Sequence, residues 1–330
     1  MLARDHVMLY YIIGDQMSRL LTTVSAITVI AGTYVNADVP KVIADIAPIH
    51  SLVSRVMDGV GEPKLIVPNE TSPHDYRLRP ADAQAIEDAN LVFWMGEGLT
   101  PWMERALEAL NSDTDIVEFL ALEESTRLSF REGALFEAHG DHDDHDDHDD
   151  HDDHAGHDHG EFDPHAWLST SNAKTWVNVI AAKLSSIDPN NAGTYFANAS
   201  EARNEMDALD DEINAMLAPV RGGKFIVFHD AYQYFESVYD FPASGAISLG
   251  DASDPSAARI AEIADRIKRE NIDCVLSEPQ FNAGLVKTVM GGTDANTQVI
   301  DPLGFGIEPG SSLYPKLIRA MAQSLVDCLK

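Results

Sequence analysis

Positive charge, cysteine and long apolar runs are all scarce in this chain, and each shortage excludes something. Lysine and arginine number 23 against 54 aspartates and glutamates, a formal net charge of −31 at pH 7. A surface that negative repels phosphate backbones and anionic lipid, which excludes nucleic-acid binding as a main function, and it attracts cations. Downstream of Tyr34 no segment approaches the 18 or more apolar residues that a membrane-spanning helix needs. No His-Glu-x-x-His run occurs, so that sequence mark of zinc peptidases is missing. Cysteine occurs only at Cys274 and Cys328, which allows one intramolecular disulfide at most. Against these shortages stand 330 residues, 45% of them apolar, enough for a real core in one large or two medium domains. Thirteen histidines are present, and eight crowd between His139 and His159.

The N-terminus reads as a targeting segment. Leu20 to Tyr34 is a mostly apolar stretch behind Arg19, followed by the small-residue pattern Val35-Asn36-Ala37. The expectation is a signal peptide starting at Met17 and cleaved after Ala37, with residues 1–16 an upstream extension of the reading frame. A membrane anchor is the rival reading, and the Ser and Thr content together with the cleavage pattern favour removal. The mature protein is therefore expected to be soluble and exported. In an oxidising periplasm the simplest use of Cys274 and Cys328 is one disulfide tying the last helix to a sheet. Closing so long a loop stabilises by roughly 4 kcal/mol in the chain-entropy description. Two free buried thiols or a pair of soft metal ligands are the alternatives.

From Lys41 the chain alternates strand and helix patterns. Strands are expected at 41–45, 64–67, 90–95 and 115–120, with helices at 49–60, 80–89 and 101–110 between them. That order implies a parallel sheet covered by helices. Residues 139–160 break the pattern with a period-3 His-Asp-Asp repeat. Ten Asp and eight His stand among its 22 residues, with no large apolar side chain. Such a segment cannot offset the entropy of ordering itself, and it is expected to be a disordered, solvated insertion. Helices follow at 169–186 and 194–217, the second lacking internal Gly or Pro. Alternation then resumes, with strands at 224–228, 273–276 and 297–300 and helices at 230–239, 255–270, 284–290 and 313–329. The expected architecture is α/β. Two lobes with parallel-type sheets flanked by helices (38–188 and 219–330) are joined by one long backbone helix (189–218), and a cleft lies between them.

Outside the repeat and His6, four histidines remain: His50, His74, His165 and His229. His74 lies in a loop after an expected strand, and His229 and Asp301 directly follow two others. His165 sits in a loop before a helix. Ligands of open α/β sheets bind beyond the carboxyl ends of the strands, where two of these histidines and the Asp are delivered. Three imidazoles with a carboxylate or water suit tetrahedral Zn²⁺ and disfavour Mg²⁺ and Ca²⁺. Spacings this long are not a local zinc motif, and singly each histidine reads more easily as structural. His50, near a helix start, keeps that structural reading.

Five motifs occur in order: Ser72-Pro-His-Asp-Tyr-Arg-Leu-Arg-Pro80, Asp163-Pro-His-Ala-Trp-Leu168, Phe228-His-Asp-Ala-Tyr-Gln-Tyr-Phe-Glu236, Ser277-Glu-Pro-Gln-Phe281 and Asp301-Pro-Leu-Gly304. Together with the His/Asp insertion they resemble the metal-binding solute receptors of ABC importers, and most closely the zinc subgroup. The resemblance spans nearly the whole mature chain. It implies His74, His165 and His229 as zinc ligands and Asp301 as a carboxylate at the fourth position, which zinc members can leave to water. Manganese receptors of the family carry a carboxylate where this chain has His229, and that exchange tilts the site toward zinc. Some zinc members carry Glu just before the first His, and Pro73 removes that contribution here. Cys274 and Cys328 fall where zinc receptors can carry a disulfide. Glu278 reads as a carboxylate supporting the ligands, with a plain surface acid as the alternative. His139, His142, His145, His148, His151, His154, His157 and His159 form an auxiliary set of weaker zinc donors.

The function expected is that of a periplasmic receptor, not an enzyme. It captures Zn²⁺ and hands it, as a monomer, to an inner-membrane ABC permease with its cytoplasmic ATPase. A stand-alone periplasmic zinc buffer or metallochaperone is the alternative, distinguished by the absence of permease and ATPase genes alongside. A zinc-dependent hydrolase with Glu278 or Asp301 as general base is a weaker one, which a hydrolase screen would detect.

Overall fold

A computed structural model of the chain describes residues 39–109, 114–131, 136, 161–248, 250, 255–281 and 283–330. The expected signal peptide and the His/Asp repeat lie outside the described residues. The N-terminal lobe runs β1 (Val42–Ala44), α1 (Ala47–Val56), β2 (Lys64–Leu65), α2 (Pro80–Glu87), β3 (Leu91–Trp94), α3 (Pro101–Glu108) and β4 (Asp115–Glu118). After the repeat come α4 (Thr170–Ile187) and the long α5 (Ala192–Leu217). The C-terminal lobe then runs β5 (Phe225–His229), α6 (Gln233–Tyr239), β6 (Ala246–Ser248), α7 (Ala257–Glu270), β7 (Cys274–Ser277), α8 (Ala283–Val289), β8 (Asn296–Val299) and α9 (Leu313–Leu329).

Each lobe holds a four-stranded parallel sheet, ordered β2-β1-β3-β4 in the first and β6-β5-β7-β8 in the second. The two orders are the same, second-first-third-fourth, so each sheet reverses direction of growth between its first and third strands. Side chains at those strand ends face a topological switch point, where α/β sheets bind ligands. The first lobe closes its crevice with its own chain. Asp45, fully buried just after β1, accepts from Met95 N beyond β3 and from Ile46 N, both at 2.8 Å. The second lobe leaves the equivalent position to His229 at the end of β5 and Glu278 after β7.

Helix α5 joins the lobes. Its buried residues Tyr195, Ala199, Ala202, Met206, Leu209, Ile213 and Leu217 fall three or four apart, one apolar stripe. At 1.5 Å per residue its 26 residues reach about 39 Å, and the stripe packs on α1, α4 and α9. In β5 the strand alternation separates two cores. Phe225 and Val227 join the large core shared with α5 and α9, while Ile226 and Phe228 join a smaller one with Ile263, Ile267 and Val289. His229 has the parity of Phe225 and Val227, which keeps it off the face of the smaller core. A disulfide between Cys274 and Cys328, with Cα atoms 5.7 Å apart, ties the start of β7 to the end of α9.

Differences from the sequence expectation are local. Helix α1 starts earlier and ends at Val56, because Gly59 takes φ +76° in a turn that drops Val60 from the helix. The expected strand at 115–120 stops at Glu118, where 119–121 tightens into a 3₁₀ turn. His229 belongs to β5 instead of following it. Strand β6 had no sequence expectation: three residues are too few to show a period.

Candidate metal centre

Two loops and the end of β5 carry the histidines to one recess at the seam of the lobes, lined by Ser72, Pro73, His74, His165, Trp167 and His229, with Glu278, Gln280, Phe281, Pro302 and Leu303 completing the wall. His74 rides the loop after β2, anchored where Trp102 Nε1 donates to Pro73 O at 2.9 Å and Tyr76 packs on Trp102. His165 follows Asp163, whose Oδ1 accepts from both the His165 backbone N–H (2.9 Å) and its ring Nδ1 (2.6 Å). Asp163 is itself held from the other lobe, by Gln233 Nε2 on Oδ2 at 2.6 Å and the Tyr234 hydroxyl on its carbonyl at 2.8 Å. On the opposite wall His229 Nδ1 stands 2.6 Å from Glu278 Oε1, and both side chains are buried.

These two carboxylate contacts decide the tautomers. A carboxylate accepts, so each Nδ1 donates and each Nε2 presents a lone pair. The two Nε2 atoms lie 3.4 Å apart. Two lone pairs aimed at one space repel unless a cation lies between them. Ring nitrogens bound to one tetrahedral zinc at about 2.0–2.1 Å stand roughly 3.3–3.4 Å apart, so this pair already has the spacing of two zinc ligands. His74 is more distant, its ring centroid 5.9 Å from that of His165, against 5.2 Å between His165 and His229. Among the described residues no three such side chains are already drawn in around one point. Trp167 and Phe281 pack against His165 and His229 at 5.2 and 5.4 Å, which fixes the rings and keeps the recess apolar behind them.

Asp301 is not among the residues that line the recess. Its Oδ1 accepts from Leu303 N at 2.9 Å, and Pro302 and Leu303 form the wall itself. Burial raises its pKa, opposed by the amides of Leu303, Gly304 and Phe305 and by Gln280. His50 lies elsewhere, in α1, with Nε2 3.1 Å from Pro63 O, and burial lowers its pKa. The eight histidines of the repeat are outside the described residues. Sequence reasoning quoted Asp163, Trp167, Gln280 and Phe281 within its motifs and gave them no role. Asp163 had a signal: an Asp two residues before a ligand-type His favours a turn in which its carboxylate binds the chain ahead.

Two α/β lobes on one long helix, with paired imidazoles in the seam, define the class of two-lobed metal-binding receptors. The family described as zinc-uptake complex component A, periplasmic (ZnuA) matches residues 42–328, and the chain belongs to that family. The high-affinity zinc uptake system protein ZnuA of Brucella abortus (strain 2308) is 45% identical over 304 residues, 87% of this chain and 91% of the relative. The protein of the same name from Paracoccus denitrificans (strain Pd 1222) is 41% identical over 302 residues, 89% and 93% of the two chains. A crystal structure of ZnuA superposes with a TM-score of 0.70 at 23% identity, covering 89% of this chain and all of the other. The laminin-binding protein Lmb of Streptococcus agalactiae does so with 0.70 at 21%, covering 88% and 100%. These structural likenesses bear out the two-lobed α/β fold.

Proposed function

We propose that the protein is exported with residues 1–37 removed and captures Zn²⁺ as cargo through His74, His165 and His229. It then delivers the ion, as a monomer, to an inner-membrane ABC permease worked by a cytoplasmic ATPase. The observation that carries this reading is the pair of carboxylate-backed imidazoles whose Nε2 atoms stand 3.4 Å apart. Membership of a periplasmic zinc-uptake family supports it, and the named relatives are high-affinity zinc uptake proteins. Among the described residues no helix is long and apolar enough to cross a membrane.

The placement of the ligands supplies a release mechanism. His165 precedes α4, against the first lobe, and His229 ends a strand of the second. One ion bridges them, so any force that parts the lobes breaks the shell. His74 leaves with its own loop. Imidazole donors favour zinc over harder cations. Competing zinc against manganese and a chelator of known strength tests the reading, which requires one tight site that prefers zinc. Equal preference for manganese, or no tight site, would overturn it.

A further inference from the structure

One more polar side chain lines the recess, and its polar atoms have nothing to bind. Gln280 shares the wall with the three histidines. Both ends of its amide, Oε1 and Nε2, are buried without a hydrogen-bond partner. Native structures rarely leave a buried donor and acceptor unused, and those that remain mark places where something else binds. Gln280 favours the ionised form of Asp301, so the two side chains are neighbours, though they make no full hydrogen bond. Asp301 in turn is turned to its own loop, its Oδ1 taken by Leu303 N at 2.9 Å. Pro302 and Leu303, the next two residues, line the recess, and Asp301 is not among its lining residues.

The two ends of a glutamine amide exchange by a half turn, so the neighbours decide which way it points. Asp301 accepts only, which draws Nε2 toward it and leaves Oε1 for the recess. Three imidazoles leave one position open on a tetrahedral zinc. A water there has its lone pair on the metal and protons to donate, and an amide oxygen is a neutral acceptor for one of them.

We propose that Gln280 is the positioning residue for the fourth side of the zinc site: its Oε1 accepts from a metal-bound water and its Nε2 donates to Asp301. Asp301 thus acts on the site through Gln280 and not as a direct ligand. The inference rests on the zinc-receptor reading above and adds a residue to it.

Gln280→Leu removes both polar ends at similar volume. Zinc affinity of the variant should fall about 10- to 100-fold, the usual range when a contact behind a ligand is lost. The melting temperature of the metal-free protein should change little, because an unpartnered buried acceptor is removed together with a donor that makes no full hydrogen bond. X-ray absorption should still count three nitrogens and one oxygen around zinc. With cobalt in place of zinc, the pH at which the visible spectrum changes as the bound water ionises should move. An affinity within twofold of the parent and an unmoved cobalt transition would overturn the proposal. A shell one atom short in the variant would also overturn it, since the amide would then be a ligand itself. His229→Ala, measured alongside, keeps the two readings apart. If His229→Ala loses the tight site and Gln280→Leu does not, only this inference fails. If the unaltered protein has no tight site, the receptor reading fails first.

Discussion

His229 and His165 show how much a single residue's surroundings decide. Each imidazole is fixed in one tautomer by a carboxylate at 2.6 Å, Glu278 for one and Asp163 for the other. Replacing His229 with Ala should weaken the tightest zinc site by well over tenfold, because ligands from separate loops cannot refill the shell. Chelator competition measures this, and an unchanged tight site would remove His229 from it. Asp45 gives a prediction about stability instead. Burial raises its pKa from 3.8 to about 7, against the opposing pull of the Met95 and Ile46 amides. Between about pH 4 and 7 the folded state therefore holds a proton that the unfolded chain has released. Stability must fall as pH rises through that window, by at most roughly 1.4 kcal/mol per unit from this group, and level off above it. Comparing the unfolding free energy of the metal-free parent with Asp45→Asn across this range isolates the effect. A difference independent of pH would mean that Asp45 titrates normally. Asp45 could not be singled out among the 54 acidic residues by composition, because what distinguishes it is which backbone amides surround it.

At the scale of elements, the strand and helix order was legible because each has its own hydrophobic period, and the exceptions are the shortest pieces. Strand β6, with three residues, carries no period to read. The disulfide joins two elements whose residues are 54 apart in sequence, a loop whose closure stabilises by roughly 4 kcal/mol. Cys274→Ser with Cys328→Ser should lower the melting temperature of the oxidised protein to that of the reduced parent while leaving the zinc site in place. Loss of tight zinc binding in the double variant would mean that the cross-link shapes the site. The base of the His/Asp segment is secured independently of the repeat. Ser129 bridges Phe162, Asp163 N donates to Leu128 O at 2.9 Å, and Arg131 pairs with Asp230 and Glu236. Deleting residues 139–160 should therefore leave the metal-free melting temperature nearly unchanged and keep one tight zinc site within a few-fold. Roughly two or three weaker sites should vanish from the titration, at three or four donors per ion. If the tightest site disappears with the segment, the cleft is not the receptor site.

For the molecule as a whole, a net charge of −31 draws cations toward a seam between two lobes of the same topology. The export reading predicts that protein recovered from the periplasm begins at Asp38, which intact mass checks directly; a retained N-terminus would mean an anchored protein. The sequence by itself determined the alternation of strands and helices, the long α5 and the three histidines carried by separate segments, since periodicity, the lack of helix breakers and motif order are all written along the chain. Tertiary structure alone decided which histidines form a pair at 3.4 Å, which of them Glu278 backs, and that Gln280 lines the recess while Asp301 does not. The physical reason is that a hydrogen bond or a coordination distance joins residues 49 to 64 apart, and nothing local in either segment records the angle at which two sheets bring them together.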